Sequence, residues 1–290
     1  MQHQAKKLEK LVQEQSAPRT TKTRFIAITS GKGGVGKSTI SSNLAYILSQ
    51  KGLNVGIFDA DIGLANLDVM FNVKIRKNIL HVMRKEASVA DILIPITRNL
   101  ILIPGDSGDE ILKYLDETMF ASVMQDAHVL DKLDVMLIDT GAGIGEHMKM
   151  FIKAADDAVV VTVPDPAAIT DAYATIKTIS SLKNDIYVIM NQVRSKKEAN
   201  AIFNKIKKVA QSNVREELNL QLLGNIATSS KVAMSVKKRE LVAVTYPRSQ
   251  PVAELEAIAQ RLMQNLEQNM LVSSTDNGLT GLFKRLLQHF

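Results

Sequence analysis

The stretch that decides the fold is Gly31-Lys32-Gly33-Gly34-Val35-Gly36-Lys37-Ser38, followed directly by Thr39. It matches the pattern G-x-x-x-x-G-K-[ST] at every position, and the strand-forming run Phe25-Ile26-Ala27-Ile28 precedes it. After it, apolar residues recur at helical spacing at Ile40, Leu44, Ile47 and Leu48. The glycines therefore lie in a strand-to-helix turn, which predicts a phosphate-binding loop rather than an ordinary glycine-rich turn.

The chemistry of this loop indicates a nucleotide triphosphate with Mg²⁺. Glycines let backbone N–H groups curl around phosphate oxygens, and the following helix adds the positive end of its dipole. Lys37 can reach the β- and γ-phosphates, and the Ser38 hydroxyl can ligate Mg²⁺. The predicted nucleotide-binding residues are Gly31, Lys32, Gly33, Gly34, Val35, Gly36, Lys37, Ser38, Thr39 and, much later in the chain, Asn191.

A second lysine in the loop narrows the class. Lys32 follows the first glycine directly and gives G-K-G-G-V-G-K-S, which resembles the deviant Walker A loop of MinD/ParA ATPases. The resemblance implies that ATP drives formation of a homodimer and that Lys32 reaches the phosphates of the partner. A surface lysine without this role is the alternative.

Two acidic residues, Asp59 and Asp61, stand at the end of the second apolar strand. Asn54-Val55-Gly56-Ile57-Phe58-Asp59 ends in a carboxylate, and Asp61 follows two residues later. Acids at the carboxyl end of a parallel strand face the ligand crevice. The run resembles the D-x-D-x-G-L-x-N-L-D segment of MinD-type ATPases, which implies that Asp61 is catalytic, together with Lys32 and Lys37, and that Asp59 supports the Mg²⁺ shell. Both acids could instead only cap or solvate the strand end.

Asp139 closes a third apolar strand. Val135-Met136-Leu137-Ile138-Asp139 has the form of a Walker B strand, so we predict a Mg²⁺ set of Ser38, Asp59 and Asp139. The glycines that follow resemble the switch II segment of the same class. Asn191-Gln192-Val193 resembles its adenine-contacting N-x-V segment, although Asn191 could also be a turn residue at a strand end.

The apolar runs predict the fold class. Further strands are expected at 99–104, 158–164, 185–190 and 220–227, with helical pieces at 75–98, a helical pattern at 105–130 and a long helix at 249–271. We predict an α/β fold with a doubly wound, mostly parallel sheet and helices on both faces. The resemblance of the loop and acid motifs implies, more narrowly, a MinD-like P-loop NTPase. The ATPase domain is expected at 22–272, between an effector segment at 1–21 and a tail at 273–290.

The N-terminal segment predicts a partner contact. Gln4, Ala5 and Leu8 are similar in order to the D-Q-A-x-x-L-R segment of the FlhG family, also called FleN or YlxH. The resemblance implies binding to the signal-recognition-type GTPase FlhF, and flagellar basal-body or transcription-regulator proteins as further partners. The other interpretation is a frayed tail.

The C-terminal segment predicts a membrane contact. Six apolar residues share one face of a short helix behind a polar linker, and cationic residues occupy the other face. These residues are Leu279, Leu282, Phe283, Leu286, Leu287 and Phe290. The pattern is similar to the membrane-targeting tail of MinD and FlhG. A helix that packs on its own core would show the same pattern.

Composition limits the remaining classes. The chain has 290 residues, 46% of them hydrophobic, and its lack of cysteine excludes disulfides and thiolate-bound iron–sulfur clusters. The net charge of +6 permits an anionic partner, and anionic lipid of the inner membrane is expected. Nucleic acid is not expected, because no aromatic residues are interleaved with the basic clusters at 205–208 and 237–239. No run reaches the roughly 18 apolar residues of a membrane span, so we expect a cytoplasmic protein that associates peripherally with the inner membrane.

These features combine into one functional hypothesis with three alternatives. The hypothesis is a slow ATPase switch that dimerises with ATP, binds the membrane, and regulates flagellar number and placement. The alternatives are a MinD-type regulator of the division site, a ParA-type DNA-segregation ATPase, and a nucleotide-binding module without hydrolysis. The joint presence of Lys37, Asp61 and Asp139 disfavours the last of these.

Overall fold

The computed structural model describes residues 23–61, 66–105, 132–214 and 218–270. The strands are β1 Arg24–Ser30, β2 Val55–Ala60, β3 Ile94–Thr97, β4 Leu100–Ile103, β5 Val135–Ala142, β6 Asp157–Thr162, β7 Asp185–Val193 and β8 Asn219–Ala227. The helices in these ranges are α1 Lys37–Gln50, α2 Leu67–Phe71, α3 Ile79–Met83, α4 Val89–Ile92, α5 Glu146–Ala154, α6 Pro166–Ile179, α7 Lys196–Asn213, α8 Ser230–Lys237, α9 Val242–Thr245 and α10 Gln250–Met270.

The strands form one eight-stranded sheet in the order β3-β4-β2-β5-β1-β6-β7-β8. All neighbouring pairs are parallel except β3 and β4, which are antiparallel. Strand β1 lies near the centre. The chain forms β2, β3 and β4 on one side of it, returns to place β5 between β2 and β1, and then adds β6, β7 and β8 on the other side. The predicted doubly wound, mostly parallel sheet is confirmed.

Two apolar cores cover the two faces of this sheet. In β1, Phe25 and Ala27 point into one core, whereas Ile26 and Ile28 point into the other, as alternation along a strand requires. Residues of α5, α6 and α7 belong to the first core, and residues of α1 and α10 belong to the second. Burial on both faces explains why β1 and β6 read as nearly continuous apolar runs.

The prediction of helical pieces across 75–98 is wrong at its end. Helices α3 and α4 are present, but Ile94–Thr97 forms strand β3 at the edge of the sheet. Pro95 has no amide hydrogen, which a strand tolerates at an edge but which weakens a sequence-based strand signal. A tight turn at Arg98 and Asn99 then leads directly into the antiparallel partner β4.

Among the described residues, none of the helices combines the length and the apolar character that a membrane span requires. The predicted terminal effector segments and nearly all of the helical pattern expected at 105–130 lie outside the described residues. The boundaries proposed for those segments therefore stay predictions.

Candidate functional site

The fold brings the glycine-rich loop and two acids to one edge of the sheet. Asp139 of β5 is the register partner of Asp59 in β2 on one side and of Ile28 in β1 on the other. The loop leaves β1 directly after Ser30. Because these strands are parallel, their carboxyl ends meet at the same edge, where ligands of open α/β sheets bind.

The loop has the backbone geometry of an anion cradle. Gly34 and Gly36 have φ angles of 79° and 89°, a region that favours glycine. Helix α1 begins directly after Gly36, and no side chain caps its N-terminus. A Cβ atom at Gly31 would collide with the backbone of Asp171 in α6, so glycine is required for the loop to pack there. A helix N-terminus of this kind is suited to bind phosphate through backbone N–H groups.

Lys37 lies between two carboxylates below the loop. Its Nζ atom is 3.1 Å from Oδ1 of Asp139 and 3.6 Å from Oδ2 of Asp61. The lysine side chain is only 7% exposed, and Asp139 is fully buried. The structure therefore brings together three of the residues that the sequence singled out, although they are widely separated along the chain.

The second oxygen of Asp139 fits a metal site. Ser41 Oγ donates to Asp139 Oδ1 at 2.9 Å, whereas the buried Oδ2 atom accepts no hydrogen bond among the described residues. A buried carboxylate oxygen without a donor is costly unless something compensates it. Carboxylate and hydroxyl oxygens are preferred ligands of Mg²⁺, and Ser38 lies in the same first helical turn as Lys37. The predicted pairing of Ser38 with Asp139 is thus chemically reasonable.

Asp59 makes contacts that the sequence did not indicate. Its Oδ2 atom accepts from the backbone N–H groups of Asn66 and Leu67, both at 3.0 Å, and its Oδ1 atom accepts from that of Asp61 at 3.4 Å. One buried carboxylate therefore joins the residue that precedes α2 to the backbone of Asp61. Its predicted support of Mg²⁺ would have to act alongside these bonds.

Burial raises the pKa of two acids of this site, Asp59 and Asp61. Burial raises the pKa of Asp59 to about 7, the Leu67 N–H group opposes the shift, and the charge of Asp139 adds to it. Burial also raises the pKa of Asp61, although the Lys37 ammonium opposes this shift and Asp139 reinforces it. A group of acids that shares one ammonium is typical of a functional site.

Glycines of the predicted switch II segment contact both the loop and Asp61. The N–H group of Gly143, whose φ angle is 98°, donates to the carbonyl of Ser30 at 2.8 Å. A Cβ atom at Gly141 would lie 3.1 Å from the Asp61 carboxylate. The segment is therefore connected directly to the start of the glycine-rich loop and to the predicted catalytic acid.

Lys32 is exposed and forms an ion pair within its own chain. Its Nζ atom lies 3.2 Å from Oδ1 of Asp165, and the two side chains are 46% and 50% exposed. The same carboxylate caps helix α6 by accepting from the N–H group of Ala168 at 3.0 Å. The pair and the cap together lower the pKa of Asp165, with the Ala168 bond as the larger cause.

Asn191 lies inside β7 and points toward the loop. Its Nδ2 atom donates to the carbonyl oxygen of Val35 at 2.8 Å, and the residue is only 9% exposed. The sequence predicted a base contact here and missed the contact with the glycine-rich loop.

Two further residues of the site were missed at the sequence level. Ser41 follows Lys37 by one helical turn, so its position on the same face of α1 could have been inferred from spacing. Asp165 as the partner of Lys32 depends on the placement of α6 beside the loop, which no local pattern shows. The predicted partner residues Gln4, Ala5 and Leu8 and the six predicted membrane residues between Leu279 and Phe290 lie outside the described residues.

The fold and the loop define a P-loop nucleotide-binding protein, and comparisons with known proteins agree. A family model described as ParA, NUBPL iron-transfer P-loop NTPase, matches residues 21–263. The flagellum site-determining protein YlxH of Helicobacter pylori is 48% identical over 92% of this chain and 90% of its own length. The antiactivator FleN of Pseudomonas aeruginosa is 32% identical over 92% of this chain and 94% of its own length.

A solved structure supports the same assignment. The MinC:MinD cell division protein complex of Aquifex aeolicus matches with a TM-score of 0.68 and 27% identity, over 83% of this chain and 96% of that chain. The chain therefore belongs to the ParA/MinD family of P-loop NTPases, and its similarity to YlxH and FleN confirms the predicted resemblance. The family model names iron transfer, but this chain contains no cysteine and so offers no thiolate ligand for an iron–sulfur cluster.

Proposed function

We propose that this chain is a slow ATPase switch that dimerises with ATP, associates with the membrane, and regulates flagellar number and placement. The observation that carries the ATPase part is the position of Lys37, between Asp139 and Asp61 and next to a phosphate-binding loop. The flagellar part is supported by the relatives named as a flagellum site-determining protein and as an antiactivator.

The chain's own residues have distinct roles in this proposal. The loop N–H groups and the N-terminus of α1 bind the phosphates, and Lys37 leaves Asp139 to contact the β- and γ-phosphates. Mg²⁺, held by Ser38 and through water by Asp139, would neutralise phosphate charge. Asp61 is half-buried beside Gly141, and it orients the attacking water through its carboxylate. Asp59 holds the backbone of Asp61 in place.

Dimerisation depends on the exposed Lys32. The ion pair of Lys32 with Asp165 is exposed to solvent and contributes little to stability, so Lys32 can leave it at little cost. In the proposed dimer, Lys32 binds the triphosphate of the partner through charge-assisted contacts. Those contacts form only with ATP, so the protein would be a dimer with ATP and not with ADP.

Membrane binding would follow from dimerisation. One amphipathic tail of the predicted kind binds lipid weakly and reversibly. A dimer with both tails on one side makes the second insertion intramolecular, which raises the affinity by a factor of about a hundred or more. The protein would then be cytoplasmic with ADP and bound to the inner membrane with ATP, where FlhF and flagellar basal-body or transcription-regulator proteins are its proposed partners.

Light scattering with and without ATP tests the dimer. Asp61→Ala is expected to accumulate as a dimer in ATP, because it retains the nucleotide, whereas Lys32→Ala is expected to bind ATP and stay a monomer. Asp165→Asn is the matched control, because asparagine still caps α6 but removes the partner charge of Lys32. A normal ATP dimer of Lys32→Ala would refute the role of Lys32 across the interface.

Vesicle sedimentation tests the membrane part. Anionic vesicles are expected to pellet the protein with ATP but not with ADP, and Phe283→Glu or deletion of residues 278–290 should abolish pelleting without affecting the dimer. Equal binding in both nucleotides would contradict the switch. In cells, a deletion strain should have altered flagellar number or placement. Minicells with normal flagella would favour the division-site alternative instead.

A further inference from the structure

Asn191 lies in β7, two strands away from β1 in the sheet, and its side chain contacts the glycine-rich loop. Its Nδ2 atom donates to the Val35 carbonyl at 2.8 Å, and Val35 itself is only 3% exposed. A Cβ atom at Gly36 would lie 2.5 Å from the same Nδ2 atom, so the amide touches two successive loop residues. A carbonyl oxygen accepts only from a donor, which fixes the Nδ2 atom, and not Oδ1, as the atom that faces the loop.

The backbone of β7 is irregular next to Asn191. Gln192, the next residue, has a φ angle of 53°, a conformation that costs a non-glycine residue free energy. The register of β7 with β8 also shifts between Met190 and Val193. Strand β7 therefore departs from regular geometry at the residue whose side chain reaches the loop, and Gln192 itself is exposed and has no burial that would explain the departure.

The contact lies at the Val35–Gly36 peptide, directly before α1 begins. Gly36 has a left-handed backbone and directly precedes α1, so the orientation of the Val35–Gly36 peptide determines where the first N–H groups of α1 point. If the Asn191 donor is removed, the buried Val35 carbonyl loses its side-chain partner and the loop loses a fixed point. Phosphate binding requires several N–H groups to converge, and it is sensitive to this kind of loosening.

We propose that Asn191 is a positioning residue of the phosphate-binding loop, so that phosphate affinity depends on it even for a ligand that has no base. This inference rests on the proposed nucleotide site. One hydrogen of Nδ2 is donated to the Val35 carbonyl. In the proposal, Oδ1 and the second Nδ2 hydrogen contact the edge of the base. Asn191 then couples the base pocket to the loop that holds the triphosphate.

Calorimetric titration with two ligands tests the proposal. Mg²⁺–ATP carries a base, and Mg²⁺–tripolyphosphate does not. Asn191→Ala is expected to weaken tripolyphosphate by about tenfold, because a hydrogen bond to a buried carbonyl is lost, and ATP by at least that factor, because a contact with the base is lost as well. Asn191→Asp, which has the same shape but no donor, should weaken both at least as much. Gln192→Gly relieves the unfavourable φ angle, keeps the Val35 contact, and should leave both affinities within about twofold.

The outcomes separate positioning from base recognition and from misfolding. Weakened ATP with unchanged tripolyphosphate would overturn the proposal, as would wild-type protein that binds ATP but no tripolyphosphate. Failure of the wild type to bind ATP would instead refute the proposed function. Without ligand, a positioning variant should still unfold in one cooperative transition, at a somewhat lower temperature because the buried Val35 carbonyl has lost its side-chain partner. If Asn191→Ala does not fold, Asn191→Ser, which is too short to reach Val35, is expected to weaken tripolyphosphate by about the same tenfold factor and ATP by at least as much.

Discussion

At the amino edge of the sheet, Arg24 and Asp157 form a partly buried ion pair through two hydrogen bonds of 2.8 and 2.9 Å, one to each carboxylate oxygen. At the carboxyl edge, one ammonium group, that of Lys37, faces both Asp139 and Asp61. In the first group, both carboxylate oxygens of Asp157 accept hydrogen bonds from the Arg24 guanidinium. The second has an excess of negative charge and leaves Oδ2 of Asp139 without a donor among the described residues.

The difference separates a structural ion pair from a functional one. Two partly buried charges joined by a two-pronged arginine–carboxylate contact tie β1 to β6, and neither oxygen of Asp157 lacks a donor. Buried acids that exceed their cations cost free energy in the protein alone. That cost is offset when a cation binds there, which is why such clusters mark sites that bind metal ions.

The largest expected effect comes from removing the cation at each edge. Lys37→Met should reduce ATP turnover by a factor on the order of a thousand, because the loop loses its charged phosphate ligand. Arg24→Met is the matched change at the amino edge. It should lower the free energy of unfolding by about 2 to 3 kcal/mol and leave turnover near the wild-type value at a temperature where the variant is folded. Turnover assays and urea unfolding measure both, and similar loss of turnover in both variants would remove the distinction.

The next effect concerns the role of Asp61 in the carboxyl-edge cluster. Asp61→Asn preserves shape but weakens the acceptor that orients water, so turnover should fall by about a hundredfold while ATP affinity changes only a few-fold. Measurements of kcat and of the ATP dissociation constant decide this point. A parallel loss of affinity and turnover would place Asp61 in ground-state binding, and wild-type turnover would refute its catalytic role.

A smaller effect concerns pH and stability. Asp59 has a pKa of about 7 in the folded protein, against an ordinary value of 3.8, so the folded state binds the extra proton between these values. Its stabilising contribution is present at low pH and is lost as pH rises through about 7. Wild-type unfolding free energy should therefore fall by about 2 to 3 kcal/mol between pH 5 and 8 relative to that of Asp59→Asn. Identical slopes of stability against pH in the two proteins would contradict the shift.

Local patterns were sufficient for the fold and for most of the site. The glycine-rich loop, the acid-terminated strands and the apolar runs each have a period or spacing that a single segment displays, and the sheet and the cluster of Lys37, Asp61 and Asp139 follow from them. Strand β3 was not predicted because it is short, lies at an edge and contains Pro95. Neither alternation nor composition distinguishes it from the helices before it.

What the sequence left out depends on contacts between distant segments. The Lys32 pair with Asp165 and the Asn191 contact with Val35 join residues separated by 133 and 156 positions. No periodicity reports such a contact, since it depends on which strands are neighbours and how a turn is aimed. The balance of charge at each edge is likewise a property of strand order, because Arg24 meets Asp157 only when β6 lies next to β1.

The most direct test replaces one carboxylate at each edge with its amide and measures both turnover and stability. Asp139→Asn should reduce ATP turnover by about a hundredfold or more, yet change the free energy of unfolding by less than about 1 kcal/mol, since it removes excess negative charge. Asp157→Asn should do the reverse, lowering the unfolding free energy by about 2 to 3 kcal/mol with near-normal turnover. A large loss of stability in Asp139→Asn, or a loss of turnover in folded Asp157→Asn, would contradict the division of the sheet into a structural and a functional edge.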